Sequence, residues 1–373
     1  MTTYPSVSLL LPNRDNERIL DLTLERLLEH TTYPNFELIV IDDASTDDGL
    51  SILRRWRDER RFDNFTLLER EHSGVARSLN AGAEVASGDL LVQLDGDATV
   101  ESPAWLERMV SFHQSDDRVG VVTPLVTFED GRIHAAGINI VSEEGMHDRG
   151  TRPKEPAGQR TFHSIAERMT PKEAGSLVTE PAEVDSSLGV HMLFSREIYD
   201  ELGGYDEGFS PVWFEDLDLA LSSRRLGYKV FFVPGVHIVH RPNLRGDRTA
   251  HSLGRRMAKR VRSGVATAVP DRLRRKVREA EQKDTAYRPH ELRRVQHHYE
   301  HFREKWGWDL MNPDMNALLE RYGNTEVCWA YDPARRGAGE EIAAAWTASL
   351  TLDAGGTTPA RRPRSSADRR GRI

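Results

Sequence analysis

Asp89-Leu90-Leu91-Val92-Gln93-Leu94-Asp95-Gly96-Asp97 is the stretch whose reading decides the fold. Leu90 to Leu94 is a short apolar run of strand length and reads as a buried strand. Its C-terminal edge carries two carboxylates, two residues apart and therefore on one face. Clustered carboxylates repel each other unless a proton or a cation lies between them. A hard divalent ion such as Mg²⁺ or Mn²⁺ takes oxygen ligands of this kind and often shares them with substrate phosphates.

Outward from that stretch, strand and helix signals alternate. Val7 to Leu11 is an apolar run, after which Leu20, Leu24, Leu27 and Leu28 recur at helical spacing. Glu37 to Ile41 reads as a second buried strand and ends in Asp42-Asp43. Thr46 reads as an N-cap with Asp47 and Asp48 in the first turn, and Leu50, Leu53 and Trp56 give that helix its apolar face. Phe65 to Leu68 is a third strand, Gly74 to Ala86 a helix, Pro103 to Phe112 another, and Val119 to Val122 a fifth strand. The alternation predicts an α/β chain with a mostly parallel sheet and helices on both faces. Ligands bind such sheets at the carboxyl ends of the strands, where Pro12, Asp42-Asp43 and Asp95-Gly96-Asp97 all fall.

Further on, Gly189 to Phe194 reads as a strand, Ser195 to Leu202 as a helix stopped by Gly203-Gly204, Asp216 to Leu226 as a helix and Lys229 to Val233 as a strand. Residues 145–181 are rich in Pro, Gly and charge and read as a loop or insertion. The chain divides into an α/β domain over 1–244, a basic helical extension over 245–350 and a disordered tail over 351–373.

The 373 residues, 38% apolar and 8% aromatic, suffice for a large core. The single cysteine, Cys328, excludes an intramolecular disulfide and a cysteine zinc site, which fits a reducing cytoplasm. The N-terminus lacks a signal-peptide pattern, and no apolar segment approaches membrane-spanning length. Arg241 to Leu310 holds 19 Lys/Arg against 9 Asp/Glu, a net +10, which leaves −18 for the rest of a chain whose net charge is −8. That asymmetry suggests an anionic partner, either a phosphate-bearing substrate or a membrane surface; its bland counterpart is an appendage with solvated charged faces. The expected location is the cytoplasm, including the inner face of the cell membrane.

The dinucleotide fingerprint, the Walker pattern and His-Glu-x-x-His are all absent, and Leu11 to Glu17 contains no glycine. His297, His298 and His301 lie at helical spacing and read as a solvated face. A second acidic cluster, Trp213-Phe214-Glu215-Asp216-Leu217-Asp218, follows two aromatics at a helix start. Apolar surroundings would raise a carboxylate towards the range of a general base, while the helix start opposes that shift. Helix capping alone would also account for the cluster. His237 and His240 end a strand-like stretch, and either could complete a metal site begun by Asp97.

Together these pieces resemble the inverting family 2 glycosyltransferases of the GT-A fold. The matching segments run in order: Val7 to Asn13, Ile41 to Asp47, Gly74 to Gly82, Leu94 to Asp97, Gly203 to Phe209, Phe214 to Leu219, Gly227 to Val230, and His240. The resemblance covers about residues 5–242. It implies that Pro12, Asn13 and Arg14 hold the nucleoside, that Asp42 or Asp43 accepts a hydrogen bond from base or ribose, and that Arg77 and Asn80 face the nucleotide. Asp95 would contact the ribose or the metal site, and Asp97 and His240 would ligate Mn²⁺ or Mg²⁺ bridging both phosphates of a nucleoside diphosphate sugar, UDP- or dTDP-linked. Asp216 would be the general base, with Glu215 positioning the acceptor or tuning Asp216. Gly96 departs from the pattern, since many relatives carry Asp there; it would remove a side chain near the sugar. His301 to Gly307 looks like a segment that packs as a helical extension in bacterial relatives, and Trp306 and Trp308 read as packing residues.

The implied activity is metal-dependent, inverting transfer to a hydroxyl of a glycan, lipid-linked, protein or small-molecule acceptor, in bacterial glycan or glycoconjugate biosynthesis. No nucleic acid is expected as a partner. The charge pattern is compatible with peripheral membrane association, and the helical extension is a reasonable surface for a homodimer. Two competing readings are an inactive sugar-nucleotide-binding scaffold, which the retained carboxylates oppose, and a sugar nucleotidyltransferase, which the glycine-free segment after the first strand opposes.

Overall fold

The computed structural model describes residues 4–140, 162–167, 169–242, 297–298, 300–302, 304–306 and 333–353. Most of the basic stretch after 244, residues 145–161 of the 145–181 segment and the tail beyond 353 lie outside the described residues.

The chain begins β1 (Val7–Asn13), α1 (Leu20–His30), β2 (Phe36–Asp43), α2 (Gly49–Asp58), β3 (Phe65–Arg70), α3 (Val75–Val85), β4 (Leu90–Leu94), β5 (Ala98–Val100), α4 (Trp105–His113) and β6 (Val119–Phe128). It continues through β7 (Ile133–Ala135), β8 (Ile138–Ile140), β9 (Phe162–Ser164), α5 (Pro171–Ala174), β10 (Ala182–Val184), β11 (His191–Ser195), α6 (Arg196–Leu202), α7 (Glu215–Arg225), β12 (Lys229–His240) and α8 (Pro333–Asp353). The main sheet runs β10-β12-β6-β11-β4-β1-β2-β3, with β5 on β12 and β7 on β6. The pairs β1–β2, β2–β3, β1–β4 and β6–β12 are parallel. The expected α/β class, a mostly parallel sheet between helices, is the one observed.

Alternation along the strands builds a core on each face. Leu9, Leu11, Leu38, Val40, Val92 and Leu94 pack against Leu24, Leu27, Trp56, Trp105 and Phe112 of α1, α2 and α4. Leu10, Ile39, Ile41 and Leu91 point the other way, onto Ala76, Leu79 and Ala83 of α3 and Leu219 and Ala220 of α7. This is the period of two expected of strands covered on both sides. At the end of the sheet, Arg224 of α7 is buried among Val184, Glu183 and Asp185, and Lys229 of β12 reaches Glu183 at 2.8 Å, so these two buried cations are paired with carboxylates.

Several local expectations change. β11 runs antiparallel to both β4 and β6, so it cannot be a further parallel repeat. α2 starts at Gly49 behind Asp48 rather than at Thr46, because Thr46 donates to Asp15 and Asp47 accepts from Gly49 and Glu17. The 145–181 segment is not all loop: from residue 162 it holds β9, then α5, which Thr170 and Glu173 cap reciprocally. α8 runs to Asp353, three residues into the expected tail.

Candidate active site

The carboxyl ends of β1, β2 and β4 meet at one edge. Asn13 ends β1 beside Asp42 of β2, and its Nδ2 donates to Asp42 Oδ1 (3.0 Å) and Ser45 Oγ (3.2 Å). Asp42 also accepts from the backbone N–H and hydroxyl of Ser45, so both its oxygens shape this turn. Asp43 accepts from the N–H groups of Ser73 (2.6 Å) and Gly74 (3.1 Å) and meets His72 Nδ1 at 2.7 Å. It thereby ties β2 to the start of α3. Arg14 donates to the Asp43 carbonyl at 3.2 Å and keeps about a third of its side chain exposed, within reach of a ligand. Pro12 lies one residue before Asn13, paired with Ile41.

Register brings the metal-type cluster together. Ala98 of β5 pairs with His240 of β12, which sets Asp97 beside that imidazole. One ligand atom from each of Asp95, Asp97 and His240 lies within 4.8 Å of the others; among the described residues no other such group of three occurs. Asp97 is fully buried, and its Oδ1 stands 3.4 Å from His240 Nε2. Two carboxylates and an imidazole make a donor set that suits Mn²⁺ or Mg²⁺. His237 faces elsewhere: its Nε2 meets Thr127 Oγ1 at 2.8 Å. Of the two histidines, His240 is the one in the cluster.

Behind His240 lies His134 of β7, parallel to it within 9°, with the two Nδ1 atoms 3.2 Å apart; Phe128 stacks on the far face of His134. Arg241 locks the same corner, its N–H bonded to the Asp97 carbonyl (2.8 Å) and its guanidinium to Thr99 and Glu101. Neither His134 nor Arg241 was anticipated. A three-residue strand leaves no periodicity from which His134 could be placed.

Glu215 and Asp216 open α7, behind two consecutive residues in the left-handed region, Trp213 (φ 83°) and Phe214 (φ 75°). Bulky residues rarely adopt this conformation, and each costs about 1–3 kcal/mol unless its surroundings enforce it. The turn aims Asp216 at Gly189, whose N–H donates to Oδ2, while the Leu217 N–H donates to Oδ1 at 2.7 Å. A Cβ on residue 189 would sit 2.8–3.0 Å from the Asp216 carboxylate, so only glycine permits this docking. Burial pushes Asp216 above the ordinary carboxylate range, against the two N–H bonds. Burial, then the charges of Asp216 and Asp95, push Glu215 well above it. The two sets are tied through one turn: the Asp95 N–H donates to the Val190 carbonyl at 3.0 Å, next to Gly189, which donates to Asp216.

Several of these residues have local settings that the sequence did not suggest. Asn80 does not face an open cleft: its Oδ1 accepts from Tyr199 OH and Tyr205 N–H, and its Nδ2 donates to the Tyr205 carbonyl and Glu207. Its hydrogen-bonding capacity is used in holding 199–207. Arg77, exposed, pairs with Glu207 at 3.0 Å. At Gly96, a Cβ would meet Asn16 Nδ2 (2.9 Å) and Asn13 Oδ1 (3.0 Å), so the missing side chain would point into the Asn13–Asn16 turn and not into space for a sugar. Of the three histidines expected on a solvated face, His297 is exposed, whereas His298 is buried against Ser210 and His301 packs on Phe209 and Asp206. Trp306 is buried as a packing residue, as expected, while Trp308 lies outside the described residues.

Comparison with known proteins adds the following. Residues 8–174 match the model of glycosyl transferase family 2. Protein y4gI of Sinorhizobium fredii is 30% identical over 253 residues, which cover 64% of this chain and 25% of that protein. The O-antigen biosynthesis protein RfbC of Myxococcus xanthus is 28% identical over 240 residues, covering 63% of this chain and 17% of that one. This chain thus spans a quarter or less of the length of these two relatives. A mannosyltransferase from Pyrobaculum calidifontis, solved with GDP-Man and Mn²⁺, superposes with a TM-score of 0.47 at 21% identity, over 94% of this chain and 88% of that one. The family match runs from β1 through the Asp95 and Asp97 cluster and ends at residue 174 of 373.

Proposed function

We propose that the chain is a metal-dependent, inverting glycosyltransferase. It takes a sugar from a nucleoside diphosphate donor, UDP- or dTDP-linked in the first instance, and joins it to a hydroxyl of a glycan or glycoconjugate. The observation that carries the reading is two carboxylate sets joined through residues 189–190, Asp95 and Asp97 with His240, and Glu215 with Asp216. The first set suits a cation and a diphosphate, the second a hydroxyl.

Asp95, Asp97 and His240 would hold Mn²⁺ or Mg²⁺. When bound, such an ion neutralises charge on a departing diphosphate. Asn13, Arg14 and the Asp42–Asp43 turn border the nucleoside side, with Arg14 the reachable donor. Asp216 takes the acceptor hydroxyl proton as that oxygen bonds to the anomeric carbon, and the bond from that carbon to the diphosphate oxygen breaks. Attack from the face opposite the leaving group inverts the centre. The Gly189 and Leu217 N–H groups use one lone pair on each Asp216 oxygen, which fixes the carboxylate and leaves capacity to receive the proton. Glu215, raised well above its ordinary range, serves better as a proton-bearing neighbour that orients the acceptor than as a second anion. The relation to an O-antigen biosynthesis protein supports a glycan acceptor.

The test is calorimetric and thermal-shift titration with UDP, dTDP, GDP and NAD⁺, each with and without Mn²⁺. A ligand that binds the folded state raises apparent stability by mass action. Metal-dependent stabilisation by one diphosphate, with none by NAD⁺, is the expected result and names the donor base; no response to any diphosphate with metal rejects the reading. With the donor known, Asp216→Asn should cut transfer roughly 10²- to 10⁴-fold while leaving donor affinity within twofold.

A further inference from the structure

The loop that presents Glu215 and Asp216 contains the two left-handed aromatics, Trp213 and Phe214. Strain of that kind persists only where the surroundings over-determine it. On one side the loop rests on α3: Val75 N–H donates to the Pro211 carbonyl at 2.8 Å. On the other side lies the helical segment within 298–306, far away in sequence.

That segment touches the loop along its whole length. Lys305 Nζ donates to Asp206 Oδ2 (2.7 Å) before the strained turn and to Asp218 Oδ2 (2.8 Å) after it. One ammonium therefore joins both ends of the stretch that contains the acidic pair. Trp306 Nε1–H donates to the other Asp218 oxygen at 2.9 Å, and the Arg225 guanidinium covers the Trp306 ring at 4.2 Å. In between, His298 Nε2 meets the Ser210 carbonyl at 3.1 Å, and Phe302, fully buried, packs with Phe209 and Phe214. Gly208 admits the segment, because a Cβ there would lie 2.3–2.8 Å from the His301 ring. Asp218 is buried and doubly bonded, so its partners cannot be replaced by water without opening the packing.

We infer that the 298–306 segment is a strap that sets the geometry of the acidic loop, with Lys305 as a positioning residue for Asp216. Lys305 touches neither the Asp95 cluster nor the Asn13–Asp42 turn among its described bonds, so its effect falls on the acceptor side of the cleft. The catalytic part of this inference rests on the reading of Asp216 as base; the structural part does not.

The experiment compares full-length wild type with Lys305→Met, Lys305→Arg and Trp306→Phe by hydrogen exchange, diphosphate binding and turnover. In Lys305→Met, amide exchange across 205–218 should rise tenfold or more. Exchange across 7–13 and 36–43, and Mn²⁺-dependent diphosphate affinity, should stay within twofold of wild type. Turnover should fall at least tenfold at unchanged donor KM, and Lys305→Arg should restore both protection and kcat. Trp306→Phe keeps a packed ring while deleting one donor to Asp218, and should give a smaller shift of the same pattern. Unchanged exchange over 205–218 in Lys305→Met overturns the strap, as does equal loosening of 7–13 and 36–43. A loosened loop with unaltered kcat overturns the positioning role. If the wild type binds no diphosphate, the transferase reading fails on its own, while the exchange data still decide the strap.

Discussion

At the scale of single residues, the site is a set of carboxylates whose surroundings give them different tasks. Asp42 and Asp43 spend their oxygens on neighbouring N–H and hydroxyl groups and shape the turns after β2; Asp97 faces His240; Asp216 is pinned by two N–H groups. All of these were legible in the sequence as acids at strand or helix ends. Their partners were not, because Gly189, His134 and Arg241 are brought in by register across strands that share no local pattern. His134 holds the second nitrogen of His240, the arrangement that fixes the tautomer and ring angle of a metal-ligating histidine. Replacing His134 by Ala should weaken Mn²⁺ affinity roughly 10- to 100-fold, measured by calorimetry on the protein without donor. Unaltered affinity would leave His134 as a packing residue.

At the scale of elements, the long strands and amphipathic helices could be read from periodicity, and the short ones could not. β5 and β7 have three residues each, too few for a period, yet they carry Asp97 to His240 and His134 to His240. β11 reads like its parallel neighbours because burial on both faces erases alternation, so its reversed direction was invisible. The junction between α3 and the acidic loop is tighter than any spacing suggests. Gly74 has φ 93°, and a Cβ there would lie 2.4–2.9 Å from backbone atoms of Pro211. Gly74→Ala should therefore destabilise the fold by roughly 1–3 kcal/mol through strain and overpacking. Chemical denaturation would show it as a lower midpoint at constant slope, and a midpoint equal to wild type would mean that the loop yields freely.

At the scale of the whole molecule, two cores on either side of one sheet were legible, since the strand alternation alone assigns Leu9 and Leu10 to opposite faces. The contact of the 298–306 segment with the acidic loop was not, because its histidines carry the helical spacing of a solvated face and nothing in the sequence names their target. No helix among the described residues is long and apolar enough to cross a membrane. Stability should also carry a pH signature from His191, which is buried against Trp105 and held by desolvation down to about 3 from its ordinary 6.5. Below 6.5 the unfolded chain takes up a proton that the folded chain refuses. His191 thus costs no stability above pH 6.5 and about 1.4 kcal/mol per pH unit as the pH falls from there towards 3, or about 2 kcal/mol at pH 5. His191→Phe should flatten the difference in unfolding free energy between pH 7 and pH 5 by that amount.

Gly74 has one more consequence. Its N–H is held by Asp43, a Cβ on it would run into the Pro211 backbone, and the next residue, Val75, donates its N–H to the Pro211 carbonyl. On the proposed reading the two substrates would meet at this one joint, and filling one half of the site would change the free energy of filling the other. Such coupling is reciprocal: whatever factor the nucleotide imposes on acceptor affinity, the acceptor imposes on the nucleotide. A bound diphosphate left behind after transfer would then be felt by the departing product, so that release of the two halves of the reaction is a linked event and not two independent ones.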